Sequence, residues 1–400
     1  MLTHNVEVLV VGLGPVGAVA ALFLAQNGIA VAALEANAQS ATDLRASTFH
    51  APTLEMLHHL GAADTLFGQG LRAPVYQFRD RQSGEVFAFD LGEIADRTAF
   101  PYRIQCEQHR VTEEIVGKLA AMPNATVRYQ SRLLFLEQDA AGVTAYVETG
   151  TAVERYRARY LVAADGANSI ARKVLDLGFP GFTYDEKFLC LSTEHAIEQA
   201  FDDLSHVNYL SDPDEWMVLL RVPGLWRILV PASEQRPDAE LLSDANKDAI
   251  FKRMLGSDVP VATRHRTIYR VHQRVCERFH VGKVGLVGDA VHLNSPMGGF
   301  GMNSGIHDAI NLGGKLVDIL RNGADDTVLG LYERQRRTVT QNFVQAQTIE
   351  NTRMMREGWG AQRDERRAAM SRLMNDAVAR RAFLLKQSMF TSLEEAAAII

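Results

Sequence analysis

The first 35 residues alternate between apolar runs and small turn-forming residues in an order typical of a βαβ unit. Val6–Val11 is a short apolar run that ends at once in glycine, which favours a strand buried on both faces of a parallel sheet. Apolar positions continue on a predicted helix to about Asn27, Gly28 ends that helix, and Ile29–Leu34 follows as a second buried strand. The pattern therefore predicts strand, tight turn, helix and strand, packed as one parallel unit.

The turn before that helix carries three glycines at fixed spacing. Gly12 permits the tight turn, Gly14 lets the backbone approach a pyrophosphate, and Gly17 lets helix and strand pack closely. The free N–H groups and the positive dipole end of the helix face the phosphates. Glu35 lies 18 residues after Gly17, where a carboxylate accepts both hydrogen bonds of a ribose diol and repels a 2′-phosphate. The stretch predicts a dinucleotide site; the alternative is a strand–turn–helix that merely packs tightly.

Farther along, alternating apolar and polar positions predict a second sheet built from two separate parts of the chain. Residues 74–89 alternate around a Ser83–Gly84 turn, which is typical of a hairpin. A helix over Val111–Met122 and a meander of strands up to residue 159 then return to the first unit. Four short strands are predicted next at Lys187–Thr193, His206–Leu210, Trp216–Val222 and Leu225–Val230, with one helix at Leu241–Leu255.

Composition and charge exclude some classes of protein. With 400 residues, 47% of them hydrophobic and 22% charged, the chain is long enough for two domains with their own cores. A formal net charge of −6 gives no electrostatic reason to bind nucleic acid or an anionic membrane. Cys106, Cys190 and Cys276 are widely spaced, so we expect free thiols in a reducing cytoplasm and no metal site. The apolar N-terminal run is too short to span a membrane.

Two further apolar strands end in glycine-containing turns. In Tyr160–Leu175 the strand runs into Asp165–Gly166, and a helix follows. In Val281–Leu312 a strand runs into Gly288–Asp289, then into a loop containing Pro296, three glycines and a helix. That loop can present backbone N–H groups and a helix N-terminus to an electron-rich ring edge, as a flavin requires when it gains charge.

Together these stretches resemble the single-component FAD-dependent aromatic hydroxylases, the group similar to para-hydroxybenzoate hydroxylase and 3-(3-hydroxyphenyl)propionate hydroxylase. The motifs that carry the resemblance are GLGPVG at Gly12–Gly17, LRAS around Arg45, ADGANSIAR at Ala164–Arg172 and GDAVHLNSPMGGFGMN at Gly288–Asn303. The resemblance implies an α/β fold: a Rossmann-like FAD-binding domain of the glutathione-reductase type, an inserted sheet-based substrate domain and a helical C-terminus. The implied division is 1–73, 101–178 and 268–330 for the FAD domain, 74–100 and 179–267 for the substrate domain, and 331–400 for the C-terminal helices.

The resemblance also implies roles for individual residues. By position, it assigns the adenosine ribose to Glu35, the diphosphate to Arg45 and Gln105, the ribityl chain or a phosphate to Asp289, and the reacting edge of the flavin to Pro296. Asp165 is expected where the pyrophosphate and a visiting nicotinamide nucleotide meet. The full set of implied cofactor residues is Gly12, Gly14, Pro15, Val16, Gly17, Glu35, Arg45, Gln105, Asp165, Gly288, Asp289, Gly298, Gly299, Gly301, Met302 and Asn303.

Between residues 178 and 267 the resemblance fades, so candidates there depend on the strand pattern alone. A sheet laid over the flavin forms a mostly apolar pocket with a few polar groups, the usual form of a small-molecule site. The candidates for catalysis are Pro296, His206 and Arg221, and those for the substrate pocket are Asn208, Met217 and Trp226. Each strand candidate has a structural alternative, because the aromatic side chains also suit a core and Arg221 also suits a solvated strand.

The chemistry follows from what the sequence contains and lacks. It shows no metal-ligand cluster, Ser-His-Asp elbow or Walker loop, so we expect a flavin to carry the redox chemistry. Only one complete dinucleotide fingerprint occurs, so NADPH or NADH is expected to visit a shared groove as a transient co-substrate. We therefore expect hydride transfer to FAD, addition of molecular oxygen to give a flavin C4a-hydroperoxide, and hydroxylation of a small phenolic or heteroaromatic substrate.

Three alternatives to this function stay open. An FAD-dependent epoxidase or reductase acting on an isoprenoid or polyketide has the same cofactor motifs. A flavin-dependent halogenase is disfavoured, because its WxWxIP run does not occur here. A non-catalytic FAD-binding module is the third.

The C-terminal stretch is predicted to be helical from residue 326 to residue 400. Within Met370–Leu385, apolar residues recur at helical spacing opposite a row of arginines. This amphipathic pattern predicts a surface helix packed on its own domain, or else a partner helix in a homodimer.

Overall fold

The computed structural model describes residues 2–40, 46–150, 152–212, 215–256, 258–357 and 363–400. The strands are β1 Thr3–Val11, β2 Val31–Leu34, β3 Thr48–Phe49, β4 Leu71–Ala73, β5 Val75–Asp80, β6 Val86–Asp90, β7 Arg103–Gln105, β8 Ala125–Arg128, β9 Ser131–Asp139, β10 Gly142–Thr149, β11 Ala152–Ala163, β12 Gly181–Thr193, β13 Val207–Ser211, β14 Met217–Val222, β15 Leu225–Ser233, β16 His265–Val275, β17 His280–Val281, β18 Val284–Leu286 and β19 His292–Leu293. The helices are α1 Pro15–Gln26, α2 Ala51–His59, α3 Asp64–Gln69, α4 Gln108–Ala120, α5 Ile170–Val174, α6 Asp238–Leu241, α7 Asp244–Leu255, α8 Phe300–Arg321, α9 Val328–Val339, α10 Ala346–Glu357, α11 Arg363–Asn375, α12 Ala377–Gln387 and α13 Phe390–Ala397.

The first sheet has the strand order β17-β18-β11-β1-β2-β8, and β10 and β9 extend it from β11. β1 pairs in parallel with both β2 and β11, so Val11 lies opposite Leu34 on one side and Ala163 on the other. β18 joins β11 in parallel as well. The carboxyl ends of these strands therefore meet at one edge of the sheet, where the turns that begin with Gly12, Glu35 and Ala164 lie side by side.

The second sheet has the strand order β19-β16-β12-β15-β14-β13-β5-β6. The predicted hairpin is present as β5 and β6, and β5 runs parallel to β13. The four strands predicted from residue 187 onward are also present, with the first one extending back to Gly181. The mixed α/β fold and the helical C-terminus are thereby confirmed.

One predicted boundary falls inside an element. The expected start of the last FAD-domain segment, residue 268, lies within β16, which pairs with β12 of the second sheet between residues 265 and 274. The sequence gives no turn signal there because β16 is a long strand of mixed polarity. The domain division itself stays a prediction.

The C-terminal helices pack on the rest of the chain. Leu373, Met374 and Phe383 contact a core that includes Phe89 of β6. Salt bridges join α12 to the segment after β6, at 2.8 Å for Arg380–Glu93 and 2.7 Å for Arg381–Asp96. Most of the apolar face is thus covered within the chain, as the surface-helix alternative expects, whereas Val378 is 82% exposed. The homodimer stays a prediction. Within the described ranges, no helix is both long and apolar enough to cross a membrane.

Candidate cofactor and substrate cleft

A cavity of about 690 Å³ lies at the carboxyl edge of the first sheet. It is lined by residues from each of the three predicted turns, among them Gly12, Gly14, Glu35, Asp165 and Asp289. Pro15, Val16 and Met302, also predicted cofactor residues, line it as well. Parallel strand order therefore assembles one cavity from motifs that are far apart in the sequence.

The three glycines of the first turn have different physical roles. A Cβ added to Gly12, whose φ is +92°, would lie 2.3 Å from the Ala164 carbonyl oxygen. A Cβ on Gly17 would lie 1.9 Å from the Gly12 carbonyl oxygen. A Cβ on Gly14 would meet nothing within 4 Å, because this residue faces the cavity. Gly12 and Gly17 are thus required for packing, whereas Gly14 leaves room for a ligand.

Two carboxylates at this edge are held by backbone N–H groups. Glu35 is buried; its Oε2 accepts from the Leu13 N–H at 3.0 Å and its Oε1 from the Asn37 N–H at 2.9 Å. Asp165 Oδ2 accepts from the Ile170 N–H at 2.8 Å. Its Oδ1 is buried and has no partner among the described residues. A buried acceptor without a partner is costly, so Asp165 is prepared for a donor supplied by a ligand.

A second cavity of about 430 Å³ lies between the first cavity and the second sheet. One wall is the loop before α8, which contributes Pro296 and Gly299, together with Gly301 in the first turn of α8. The other wall is the inner face of the second sheet, which contributes Tyr209, Val218, Leu220, Leu229, Tyr269 and Val271, and His272 of β16 also lines the cavity. Asp289 and Met302 line both cavities, so the two form one continuous cleft.

The N-terminus of α8 is anchored by buried side chains. Asn303 donates to the Thr48 carbonyl at 2.8 Å and accepts from the His50 N–H at 3.0 Å. Burial and the nearby Arg103 guanidinium hold the pKa of His50 well below its ordinary value, so the ring is neutral. Its Nε2 donates to the Gly298 carbonyl at 2.8 Å. These contacts fix the turn at Gly298 and Gly299, both at positive φ, and aim the first N–H groups of α8 into the cleft.

Comparison with known proteins agrees with this geometry. Residues 5–347 match the protein family described as FAD binding domain. The chain is 33% identical to para-nitrophenol 4-monooxygenase from Pseudomonas sp. (strain WBC-3), over 94% of both chains. It is 30% identical to 6-hydroxy-3-succinoylpyridine 3-monooxygenase from Pseudomonas putida (strain DSM 28022 / S16), over 87% of this chain and 88% of that one. The chain belongs to the family of FAD-dependent aromatic hydroxylases.

A solved structure supports the same assignment. The crystal structure of p-nitrophenol 4-monooxygenase from Pseudomonas putida DLL-E4 matches this fold with a TM-score of 0.91 at 30% identity, covering 98% of this chain and 99% of that chain. The predicted family, fold and FAD cofactor are therefore confirmed. The cleft of this hydroxylase fits the cofactor, since Gly14 leaves space at the cavity wall and Asp165 offers a buried acceptor.

Some predicted FAD residues line neither cavity. Gln105 is fully buried behind Thr48, whose hydroxyl donates to its side-chain oxygen at 3.0 Å, because β7 pairs with β3 there. Gly17, Gly288, Gly298 and Asn303 support the turns and do not line the cleft. Arg45 lies outside the described residues.

A buried ion-pair network below the cleft was not expected from the sequence. Asp308 accepts from the Gly288 N–H at 3.2 Å, contacts His292 Nε2 at 2.7 Å and accepts from Arg336 Nε at 2.7 Å. Burial alone raises the pKa of Asp308, but Arg336 and His292 outweigh burial and lower it. The ionised carboxylate therefore fixes the backbone of the Gly288–Asp289 turn. The signal in the sequence is the aspartate itself, which lies with Ser304 and His307 on a helix that is otherwise rich in small and apolar residues.

The strand candidates for the substrate pocket lie on the opposite face of the second sheet, and the prediction is corrected here. Met217 and Trp226 pack in a core covered by α7. Asn208 is buried and bonded to Ser205, and Arg221 lies 5.4 Å over the Trp226 ring. His206 bonds the Arg72 carbonyl at 3.0 Å, away from the cleft.

The reason for this correction is the period of two along a strand. Successive side chains alternate between faces, so the cleft is lined by Tyr209, Val218 and Leu220, each one position away from a predicted residue. Both faces of this sheet are apolar, since α7 covers the outer one. Alternation of polarity therefore gave no indication of which face meets the flavin. Of the three candidates for catalysis, Pro296 alone lines the cleft.

Proposed function

We propose that this hydroxylase inserts oxygen into a single-ring phenol or hydroxypyridine, with NADH or NADPH as the reductant. The volume of the second cavity carries the proposal. About 430 Å³ has to accommodate both the flavin ring and the substrate, which leaves space for one aromatic ring and small substituents. Relatives named for a nitrophenol and for a hydroxypyridine support the same class.

The cavity wall suits a flat aromatic ring with one polar end. Val218, Leu220, Leu229 and Val271 present apolar surface. Burial raises the pKa of Tyr269 far above its ordinary value, so its hydroxyl stays protonated, and it is hydrogen-bonded to Cys190 and Arg227.

Polar groups of the same cavity are suited to orient a phenol. Burial, Arg274 and Arg270 lower the pKa of His272, so its ring is neutral at pH 7. His272 Nδ1 lies 2.8 Å from the Thr183 hydroxyl, which fixes the orientation of the ring. A fixed neutral imidazole can accept the phenol hydrogen, which raises electron density at the attacked carbon.

Bound FAD supplies the redox chemistry, accepting a hydride from NADH or NADPH and then activating molecular oxygen. The protein holds the adenosine ribose at Glu35, and Asp165 and Asp289 lie along the remainder of the first cavity. The Pro296 loop and the apolar sheet wall line the second cavity, and with a substrate ring bound between them they limit the access of water and the loss of oxygen as hydrogen peroxide. The reductant visits the same cleft, because the sequence has one complete dinucleotide fingerprint.

The test is consumption of NADH and NADPH under air across a panel of single-ring phenols, hydroxypyridines and tricyclic phenols, with product and peroxide both counted. We expect at least one single-ring compound to give hydroxylated product, and the tricyclic compounds to give none. Hydroxylation of tricyclic compounds only would refute the proposed substrate class.

The cellular setting is part of the proposal. Cys106, Cys190 and Cys276 are all buried and free, which supports a reducing compartment and hence the cytoplasm.

A further inference from the structure

One helical segment near the C-terminus has a buried face made of polar side chains. α9 continues through a π-helical turn, Thr340–Gln345, into α10. Gln345, Thr348, Asn351 and Thr352 are all at most 8% exposed, and their helical spacing puts them on one side. Polar side chains are buried at a cost unless they have hydrogen-bond partners, so this face is built against particular groups.

Those groups belong to the loop that contains Pro296. Gln345 Nε2 donates to the Leu293 carbonyl at 2.9 Å, and Asn351 Nδ2 donates to the Met297 carbonyl at 3.3 Å. Thr352 Oγ1 lies 2.7 Å from Ser295 Oγ. The helix thus holds alternate positions of the loop on both sides of Pro296.

A strand of the second sheet completes the contact from the other direction. Gln273 of β16 accepts from the Ser295 N–H at 2.9 Å and donates to the Thr348 hydroxyl at 3.0 Å. Loop, helix and sheet are therefore joined by one buried hydrogen-bond network. We call Gln273, Gln345, Thr348, Asn351 and Thr352 the loop cradle.

The same helix also reaches the opposite wall of the cleft. Met355, one turn beyond Asn351, packs in the core that contains Tyr209, Val218 and Leu229. These three residues line the second cavity from the sheet side. One rigid element therefore contacts both walls between which the aromatic ring is placed.

We propose that the loop cradle sets the width of the gap between Pro296 and the second sheet, and that Thr352 and Asn351 are positioning residues for hydroxylation. The assignment of this gap to the substrate ring rests on the proposed function. A loosened loop admits water and lets the ring shift, so oxygen is lost as peroxide while the reductant is still consumed. The hydrogen bonds that hold the loop do not depend on that assignment.

The experiment compares Thr352→Val, which keeps the shape and removes the hydroxyl, with Thr352→Ser, which restores the hydroxyl. Thr340→Val is the matched control, since Thr340 is fully buried in the same helical segment and its hydroxyl has no partner within the described part of the chain. Amide hydrogen exchange of residues 293–299 is measured in the FAD-loaded proteins by mass spectrometry. Peroxide and product formed per NADH or NADPH are counted with the best substrate of the phenol panel.

We expect loop amides to exchange about 3–10-fold faster in Thr352→Val, from the loss of one buried hydrogen bond. The peroxide fraction rises in the same variant, and Thr352→Ser and Thr340→Val behave as the wild type in both measurements. Unchanged exchange in Thr352→Val overturns the cradle, whatever the activity. Faster exchange with an unchanged peroxide fraction overturns its role in hydroxylation.

If the wild type itself hydroxylates nothing, the proposed function fails, and the exchange data alone decide whether the cradle positions the loop. Should Thr352→Val not fold, Asn351→Asp, which replaces the amide donor to Met297, takes its place under the same criteria.

Discussion

The two walls of the cleft are built from different parts of the polypeptide. The nucleotide wall consists of backbone turns at the edge of a parallel sheet, with carboxylates held by N–H groups of Leu13, Asn37 and Ile170. The substrate wall consists of side chains on one face of a largely antiparallel sheet. A wall built from the backbone tolerates few substitutions, because its shape depends on particular φ angles and on close contacts between backbone atoms. A side-chain wall can change its shape residue by residue, which suits a family that keeps one cofactor and varies its substrate.

The largest expected effect concerns the two faces of the second sheet, which should respond differently to the loss of a leucine side chain. Leu219 is fully buried under α7, whereas its neighbour Leu220 lines the cleft. Leu219→Ala should lower the free energy of unfolding by about 2–5 kcal/mol, as large-to-small core changes do. Urea denaturation of the FAD-loaded protein measures it.

The matched variant Leu220→Ala should leave stability nearly unchanged and weaken binding of the best single-ring phenol of the panel about tenfold, since each buried methylene contributes ~0.8 kcal/mol. Titration of the flavin absorbance measures this affinity. Weaker ligand binding in Leu219→Ala than in Leu220→Ala would reverse the assignment of the faces.

The contrast between the walls also explains how far the sequence could be interpreted. The motif around Gly12 fixes its own geometry, because only glycine avoids the clash with Ala164, so the nucleotide cavity was predictable. The strands of the second sheet were predictable from their pattern, but their orientation was not, since both faces are apolar. The contacts of Asp308 with Arg336 and of Thr352 with Ser295 join residues 28 and 57 positions apart, and only the folded chain brings them together.

On the nucleotide wall, Gly14→Val should abolish much of the FAD affinity without affecting the fold. Nothing lies within 4 Å of a Cβ at this position, so the new side chain enters the cavity and not the core. Overpacking costs about 1–3 kcal/mol, which corresponds to roughly 5–150-fold weaker FAD binding. Flavin content after purification and the dissociation constant report it.

Gly68→Val is the control for this change, because Gly68 also has open space around its Cβ but lies in α3, outside both cavities. Equal FAD affinities of the two variants would remove Gly14 from the site.

The loss of stability in acid should depend on α8, which carries the buried His307. Burial lowers the pKa of His307 from 6.5 to about 3. The unfolded chain therefore binds more protons between these values, so the stability contribution is complete above about pH 6.5 and is lost as the pH falls. The slope reaches at most about 1.4 kcal/mol per pH unit.

The pH effect is measured by urea denaturation between pH 7.5 and pH 5, with the pH range chosen around the ordinary histidine pKa of about 6.5. His307→Gln should make this dependence shallower, with His50 still contributing in the same direction, while replacement of the exposed His59 should not alter it. An identical pH dependence of His307→Gln and wild type would contradict the assignment.

The smallest expected effect concerns the ribose contact. Glu35→Gln keeps the size of the side chain but removes its charge and replaces one accepting oxygen with an NH2 group, so one backbone N–H loses its acceptor and the remaining bonds become neutral ones. FAD affinity should fall about 3–12-fold, equivalent to roughly 0.7–1.5 kcal/mol, with the fold preserved. Glu137→Gln on the surface of β9 serves as the control, and a dissociation constant equal to that of the wild type would count against Glu35 as the ribose acceptor.

The central claim is that one cleft holds FAD on the backbone wall and a single aromatic ring on the side-chain wall, so that oxygen passes from O2 to the ring. Turnover of the best single-ring phenol with isotopically labelled O2 in ordinary water tests it directly. The account predicts that the hydroxylated product carries the labelled oxygen and that its amount approaches that of the NADH or NADPH consumed. Two results would contradict it. One is that consumption of the reductant yields labelled peroxide alone with every single-ring phenol and hydroxypyridine tested. The other is that the new oxygen of the product comes from water.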